Sequence, residues 1–205
     1  MIDPYFGADA RAFFGVVAAV VSCIAYLPYL RDLTAGTTKP QRSSWLVWTV
    51  LSSISFASQV AEGASASLLY AGIQCAGTAF IFAFAIRRGA GHFFRGADAV
   101  VLGAAACGLL AWYFTDSAVW ALCISCGISL AGGTVTVAKA YARPETETQS
   151  FWTISMVAAC FAVASVGAWD LVLLIYPAYL LTLKAAVVLA LYLGRRHPAP
   201  AVVAA

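Results

Sequence analysis

Charge is what this chain has least of. Asp, Glu, Lys and Arg make up 10% of its 205 residues while 62% are hydrophobic, against roughly a quarter charged in a soluble domain. A chain this short and this apolar excludes a water-soluble globular domain and reads as one polytopic membrane domain. Histidine is scarce too, with His92 in a loop and His197 in the C-terminal tail. None of the acidic residues lies deep in an apolar run, since Asp32, Glu62, Asp98, Asp116 and Asp170 all stand at run ends. An intramembrane acid–base enzyme needs such groups within its spans, so no enzymatic activity is expected. No nucleotide-binding motif is present, which argues against a primary pump on this chain alone. The N-terminus, MIDPYFGADARAFF, has neither a basic n-region nor a nearby A-x-A site. The first apolar run is therefore expected to be retained as a helix.

Six cysteines (Cys23, Cys75, Cys107, Cys123, Cys126 and Cys160) all fall in apolar runs and are expected to be buried as small hydrophobes. Cys123-x-x-Cys126 has redox or metal spacing, but no second pair and no histidine lies near it. Neither a metal nor any other cofactor is expected.

Seven helices follow from the apolar runs: Phe13–Leu33, Ser44–Ala61, Ala64–Ile86, Ala97–Thr115, Ala118–Tyr141, Phe151–Ala168 and Leu171–Leu193. Helix is the state lipid permits, because a single segment must satisfy its own backbone polar groups. The tail from residue 197 to 205 is expected to be disordered. Alternating seven spans places Arg31, Lys39, Arg42, Arg87, Arg88, Arg95, Lys139, Arg143, Arg195 and Arg196 on one side, ten of the twelve basic residues. The opposite side holds Asp3, Asp9, Glu62, Asp116 and Asp170, with Arg11 alone to offset them. The positive-inside rule then puts the N-terminus outside and the C-terminus in the cytoplasm. This asymmetry accounts for a pI near 8.6 without nucleic acid as a partner.

The first three helices resemble the last three at offsets of 106 to 108 residues. Trp45 aligns with Trp152, Tyr70 with Tyr176, and Arg87-Arg88 with Arg195-Arg196. Ser22, Tyr26 and Tyr29 share one face of the first helix, which Ser129, Gly133 and Thr136 repeat 107 residues later. Three helices invert the chain and the fourth restores its direction, giving parallel repeats over residues 12–88 and 118–196 joined by a linker helix over 97–116. This 3+1+3 plan resembles the SWEET and PQ-loop transporter superfamily. The local likeness lies in LPYLRDLTAGTTKPQRSSWLVW, and in RPETETQSFW with LIYPAYLL, which are similar to small bacterial PQ-loop-like membrane proteins. Pro28-Tyr29 stands where the superfamily has Pro-Gln, and this chain has no asparagine, the residue with which SWEET proteins bind sugar. The resemblance implies transport of a small solute across a bacterial cytoplasmic membrane.

Within the last helix Lys184 lies about 15 Å from the terminal Arg195 at the rise of an α-helix, close to the bilayer midplane. A cationic amine there costs roughly 2.5 to 3.5 kcal/mol on insertion scales, so it is expected to face protein or a wet cavity. Gln74 and Thr78 share a face of the third helix, and Trp48, Ser52, Ser55 and Gln59 form a stripe on the second. Together with Tyr176 these polar groups are the candidate substrate site, with Lys184, Gln74 and Tyr176 holding a carboxylate or other acceptor. For the serines, helix packing by small residues is the competing reading. Lys184 itself has one too, as a core lysine bonded to helix carbonyls. Trp45, Trp152 and Trp169 stand near helix ends and are expected as interfacial anchors. Pro28 and Pro177 each remove a backbone hydrogen bond and are candidate hinges.

The function expected is a transporter, facilitative or proton-coupled, for a small polar solute bearing a carboxylate or other acceptor, its partners being the lipid bilayer and that solute. The oligomeric state is left open, a homo-oligomer included. Two other functions compete. A non-transporting membrane scaffold would not need polar midplane residues. A lysine-linked retinal protein would need a carboxylate counter-ion that the third helix lacks.

Overall fold

The computed structural model describes residues 7–61, 66–91, 118–166 and 171–196, with Ala99, Val100, Gly103, Ala106, Leu110 and Phe114 besides. Among the described residues the chain is all helix and turn, with no strand. Six helices are defined: α1 Ala8–Ala35, α2 Arg42–Ala61, α3 Ala66–Arg88, α4 Ala118–Ala142, α5 Gln149–Val166 and α6 Leu171–Arg196, with a 3-10 turn at Pro144–Thr146. The starts of α1, α2 and α5 and the ends of α1, α3, α4 and α6 run a few residues past the apolar runs, because helices continue into polar caps that hydropathy does not register. Most of the expected linker helix, Trp169, and the tail from 197 lie outside the described residues. Among the described residues four helices are long and apolar enough to cross a membrane: Ala8–Ala35, Leu68–Arg88, Gln149–Val166 and Leu174–Arg196. They are compatible with an integral membrane protein.

The amphipathicity of α1 is inverted relative to a soluble helix. Phe13, Val16, Val20, Ile24 and Leu27 recur at three- and four-residue spacing and are exposed. Ser22, Tyr26 and Tyr29 on the other face are buried. Such a continuous apolar stripe suits lipid and is rare on soluble monomers. Cys23 and Cys160 belong to this outer surface and are exposed, contrary to the burial expected of them. An apolar environment holds a small hydrophobe equally well on either face.

α1 stops where Gly36 adopts φ 77°, the left-handed geometry that a glycine enters without steric cost. Thr37 and Thr38 then return their N–H groups to the Asp32 carbonyl. Basic residues occupy the last turns of α3 (Arg87, Arg88), α4 (Lys139) and α6 (Arg195, Arg196), where the helix dipole favours cations. Arg42 donates from Nε to the Ala85 carbonyl and from Nη1 to that of Gly91, joining the start of α2 to the end of α3.

The helices close into a ring. α1 packs on α3, α3 on α2, α2 on α4, α4 on α6, α6 on α5, and α5 back on α1. α1, α3, α4 and α6 end at the same basic rim from which α2 and α5 begin. α1 and α6 continue as helices through Pro28 and Pro177. Each proline lies within two residues of a tyrosine on the central cavity, Tyr26 or Tyr176.

Candidate functional site: the central cavity

All six helices contribute to a cavity of about 40 Å³ at the centre of the ring, room for about three or four waters at roughly 10–15 Å³ each. α1 supplies Tyr26, α2 supplies Trp45, Trp48, Leu51 and Ser52, and α3 supplies Gln74 and Thr78. From the other half come Ser129 of α4, Phe151 and Trp152 of α5, and Tyr176, Leu180, Leu183 and Lys184 of α6.

The lysine decides the character of one wall. Lys184 is 5% exposed and its Nζ donates to Tyr70 Oη at 3.1 Å, crossing from α6 to α3. Gln74 Nε2 donates to the same oxygen at 2.7 Å, and Tyr26 Oη donates to Gln74 Oε1 at 2.9 Å. Three helices are thereby tied through one chain of polar groups. The ion pairs among the described residues are Arg31–Asp32 and Lys139–Glu147, and neither involves Lys184. An ammonium carries three protons and a side-chain amide two, so Lys184 and Gln74 retain donors after their bonds to Tyr70. The wall offers donors to a ligand that brings acceptors.

No known protein family, curated protein or solved structure matches the chain. The site therefore rests on its own geometry.

Of the residues singled out in the sequence, Lys184, Gln74, Thr78, Tyr176, Trp48 and Ser52 are brought together on the cavity. Ser52 and Thr78 share a hydrogen bond of 2.8 Å, and Trp48 Nε1 donates to the Ser129 carbonyl at 3.4 Å. Ser55, a turn further along α2, is half-buried and not on the lining. The side chain of Gln59 lies outside the described residues. The sequence reading missed Tyr70, which joins Lys184 to Gln74, and took Trp45 and Trp152 for interfacial anchors. Both tryptophans are 2% exposed and line the cavity. They stand near helix ends, but the polar loops fold over those ends and cover them. Their shared place in the two halves, 107 residues apart, was the signal that could have found them.

The cavity is sealed towards the basic rim. Tyr29, Trp45, Phe151 and Trp152 pack ring against ring, with Tyr29–Phe151 centroids 4.6 Å apart and Phe151–Trp152 centroids 5.1 Å apart. Outside this layer the loops after α1 and α4 bind one another. Lys39 N–H donates to the Thr146 carbonyl at 3.1 Å, and the Thr38 and Thr148 hydroxyls meet at 2.5 Å. Thr148 Oγ1 also donates to Asp32 Oδ2 at 3.0 Å. Lys139, expected as an orienting charge at the membrane surface, instead bonds Glu147 Oε1 at 2.7 Å and the Lys39 carbonyl. Trp152 Nε1 donates to Glu147 Oε2 at 3.0 Å, so one carboxylate touches both the cavity lining and the inter-loop lattice.

On α3, Gly77 lets α1 approach. A Cβ built there would fall within the Tyr26 ring. Gly77→Ala is expected to displace Tyr26, break its bond to Gln74, and lower stability by about 1–3 kcal/mol. Adding Tyr26→Leu removes the clashing atoms, and the double variant should melt above Gly77→Ala alone in detergent. Additive losses would show that the two side chains do not meet.

Proposed function

We propose that the chain is a seven-helix membrane transporter. Two like-oriented three-helix repeats, joined by a linker helix, would carry a small carboxylate-bearing solute through the central cavity. The observation that carries this reading is the direction of Lys184: the amine of a long apolar helix turns into the cavity, away from lipid, without a carboxylate partner among the described residues. An anionic solute supplies that partner, held by Lys184, with Gln74 and Tyr176 beside it.

The order of the ring supports the repeats. Within each half the third helix packs between the other two, and the two main contacts between halves are the matched pairs α1 with α5 and α4 with α2. Beside them is a smaller contact of α3 with α5 that has no counterpart between α6 and α2 among the described residues. A two-fold axis along the ring would exchange the two main pairs. The superfamily likeness points the same way. With the positive-inside rule the sealed rim is cytoplasmic, and passage on that side requires Trp152 to leave Glu147 and the two loops to part. Pro28 and Pro177, beside cavity residues on α1 and α6, are the hinges assigned to that rocking. The reading covers facilitated and proton-coupled transport alike.

The test is uptake by the full-length protein in liposomes, across a panel of sugars, vitamins and small organic acids. Uptake of at least one carboxylate well above protein-free liposomes is expected. A panel with no uptake would refute carriage and favour the scaffold reading.

A further inference from the structure

Given the transport reading above, we infer that the solute is a planar aromatic carboxylate, its acid group on Lys184 and its ring among the aromatic side chains opposite. Six of the residues on the cavity are aromatic: Tyr26 and Tyr176, which belong to the polar wall, and Trp45, Trp48, Phe151 and Trp152, which supply the aromatic wall. Several meet edge to face: Trp45 and Trp48 have centroids 5.2 Å apart at 83°, Trp48 and Trp152 6.1 Å apart at 72°. Edge-to-face packing satisfies the quadrupole of each ring and favours a further ring that continues the pattern. Ring faces are electronegative and disfavour a bare anion, so the carboxylate is directed to the donor wall and the aryl group to the aromatic wall. A cation would gain from the ring faces but meets the lysine amine in the same cavity.

The hydrogen-bond inventory separates this class from sugars. Four hydroxyls on or beside the cavity are already paired, Ser52 with Thr78 at 2.8 Å and Ser129 with Tyr179 at 2.6 Å. A polyol would have to break these bonds or leave its own hydroxyls unpaired, and unpaired buried polar groups are costly. An aryl carboxylate has a single polar end, and the remaining protons of Lys184 and Gln74 meet it. Shape agrees as well. A cavity of about 40 Å³ must widen for any solute, and a flat ring demands the least separation of its walls.

The experiment is ligand binding to the full-length protein in detergent, read by tryptophan fluorescence and thermal unfolding against protein-free micelles. Its probes are benzoate, cyclohexanecarboxylate, benzamide and glucose. Benzoate is expected to bind about tenfold more tightly than cyclohexanecarboxylate, because its ring meets the aromatic edges and faces favourably, and more tightly than benzamide. Trp48→Leu should bring benzoate down to the level of cyclohexanecarboxylate. Equal binding of the two acids by the unaltered chain overturns the aromatic class and leaves carboxylate carriage standing. Benzamide binding as well as benzoate, or glucose binding best, overturns the pairing with Lys184 and the carboxylate reading beneath it. Binding of none overturns the inference, while the liposome panel separately decides whether the chain carries any solute.

Discussion

Replacing Lys139 with methionine is expected to destabilise the protein by about 3–5 kcal/mol, the range for breaking one side of a buried ion pair. The side chains of Lys139 and Glu147 are 4% and 1% exposed, so neither charge can turn to water when its partner is lost. Without the ammonium, Glu147 keeps the Trp152 N–H as a donor, and the Lys39 carbonyl loses the donor from Lys139. Glu147→Gln tests the other side. It preserves shape and an acceptor for Trp152, but leaves the Lys139 amine without a counter-charge. A double replacement, Lys139→Met with Glu147→Leu, should recover much of the loss, because burying two apolar groups avoids the desolvation of two charges. Thermal unfolding of the four proteins in one detergent checks this. By contrast Arg31–Asp32, at 78% and 22% side-chain exposure, belongs to the exposed class worth about 0–1 kcal/mol. A loss below 1 kcal/mol for Lys139→Met would show that the pair is hydrated and that the loops are not locked through it.

That ion pair also marks where the sequence stopped being legible. Hydropathy reads residues by type, so Lys139 and Glu147 registered as surface charges flanking a loop. What buries them is a tertiary event: the 3-10 turn at Pro144–Thr146 folds Glu147 back over the end of α4, and the loop after α1 covers both. The apolar runs were legible because each span is a local property of a continuous segment. Lys184 was legible because a midplane charge stands out against any apolar background. Tyr70 was not, since a tyrosine in an apolar run is commonplace and its role depends on a partner 114 residues away. Of the helical stripe on α2, Trp48 and Ser52 stand on the cavity and Ser55 stands off its lining, because a straight stripe drifts off a cavity that is only a turn or two deep.

Lys184→Met is expected to abolish uptake of the carboxylate solute while the protein stays folded. Truncating one partner of a buried, hydrogen-bonded charge pair costs about 2–5 kcal/mol, which lowers affinity roughly thirtyfold or more at 1.4 kcal/mol per factor of ten. Folding should not suffer in parallel. Methionine fills a similar volume and removes an amine whose insertion at the bilayer centre costs roughly 2.5–3.5 kcal/mol. Tyr70 still accepts from Gln74, and Gln74 still accepts from Tyr26, so the remaining polar chain stays bonded. The competing role, a core lysine that only braces α6 against α3 through Tyr70, predicts the reverse: a lower melting temperature with transport changed only in proportion to folded protein. Measuring uptake and unfolding on the same preparation separates the two. Transport at unaltered rate and affinity by a folded Lys184→Met protein would remove the lysine from the site. A carboxylate would then have no charged partner among the cavity residues.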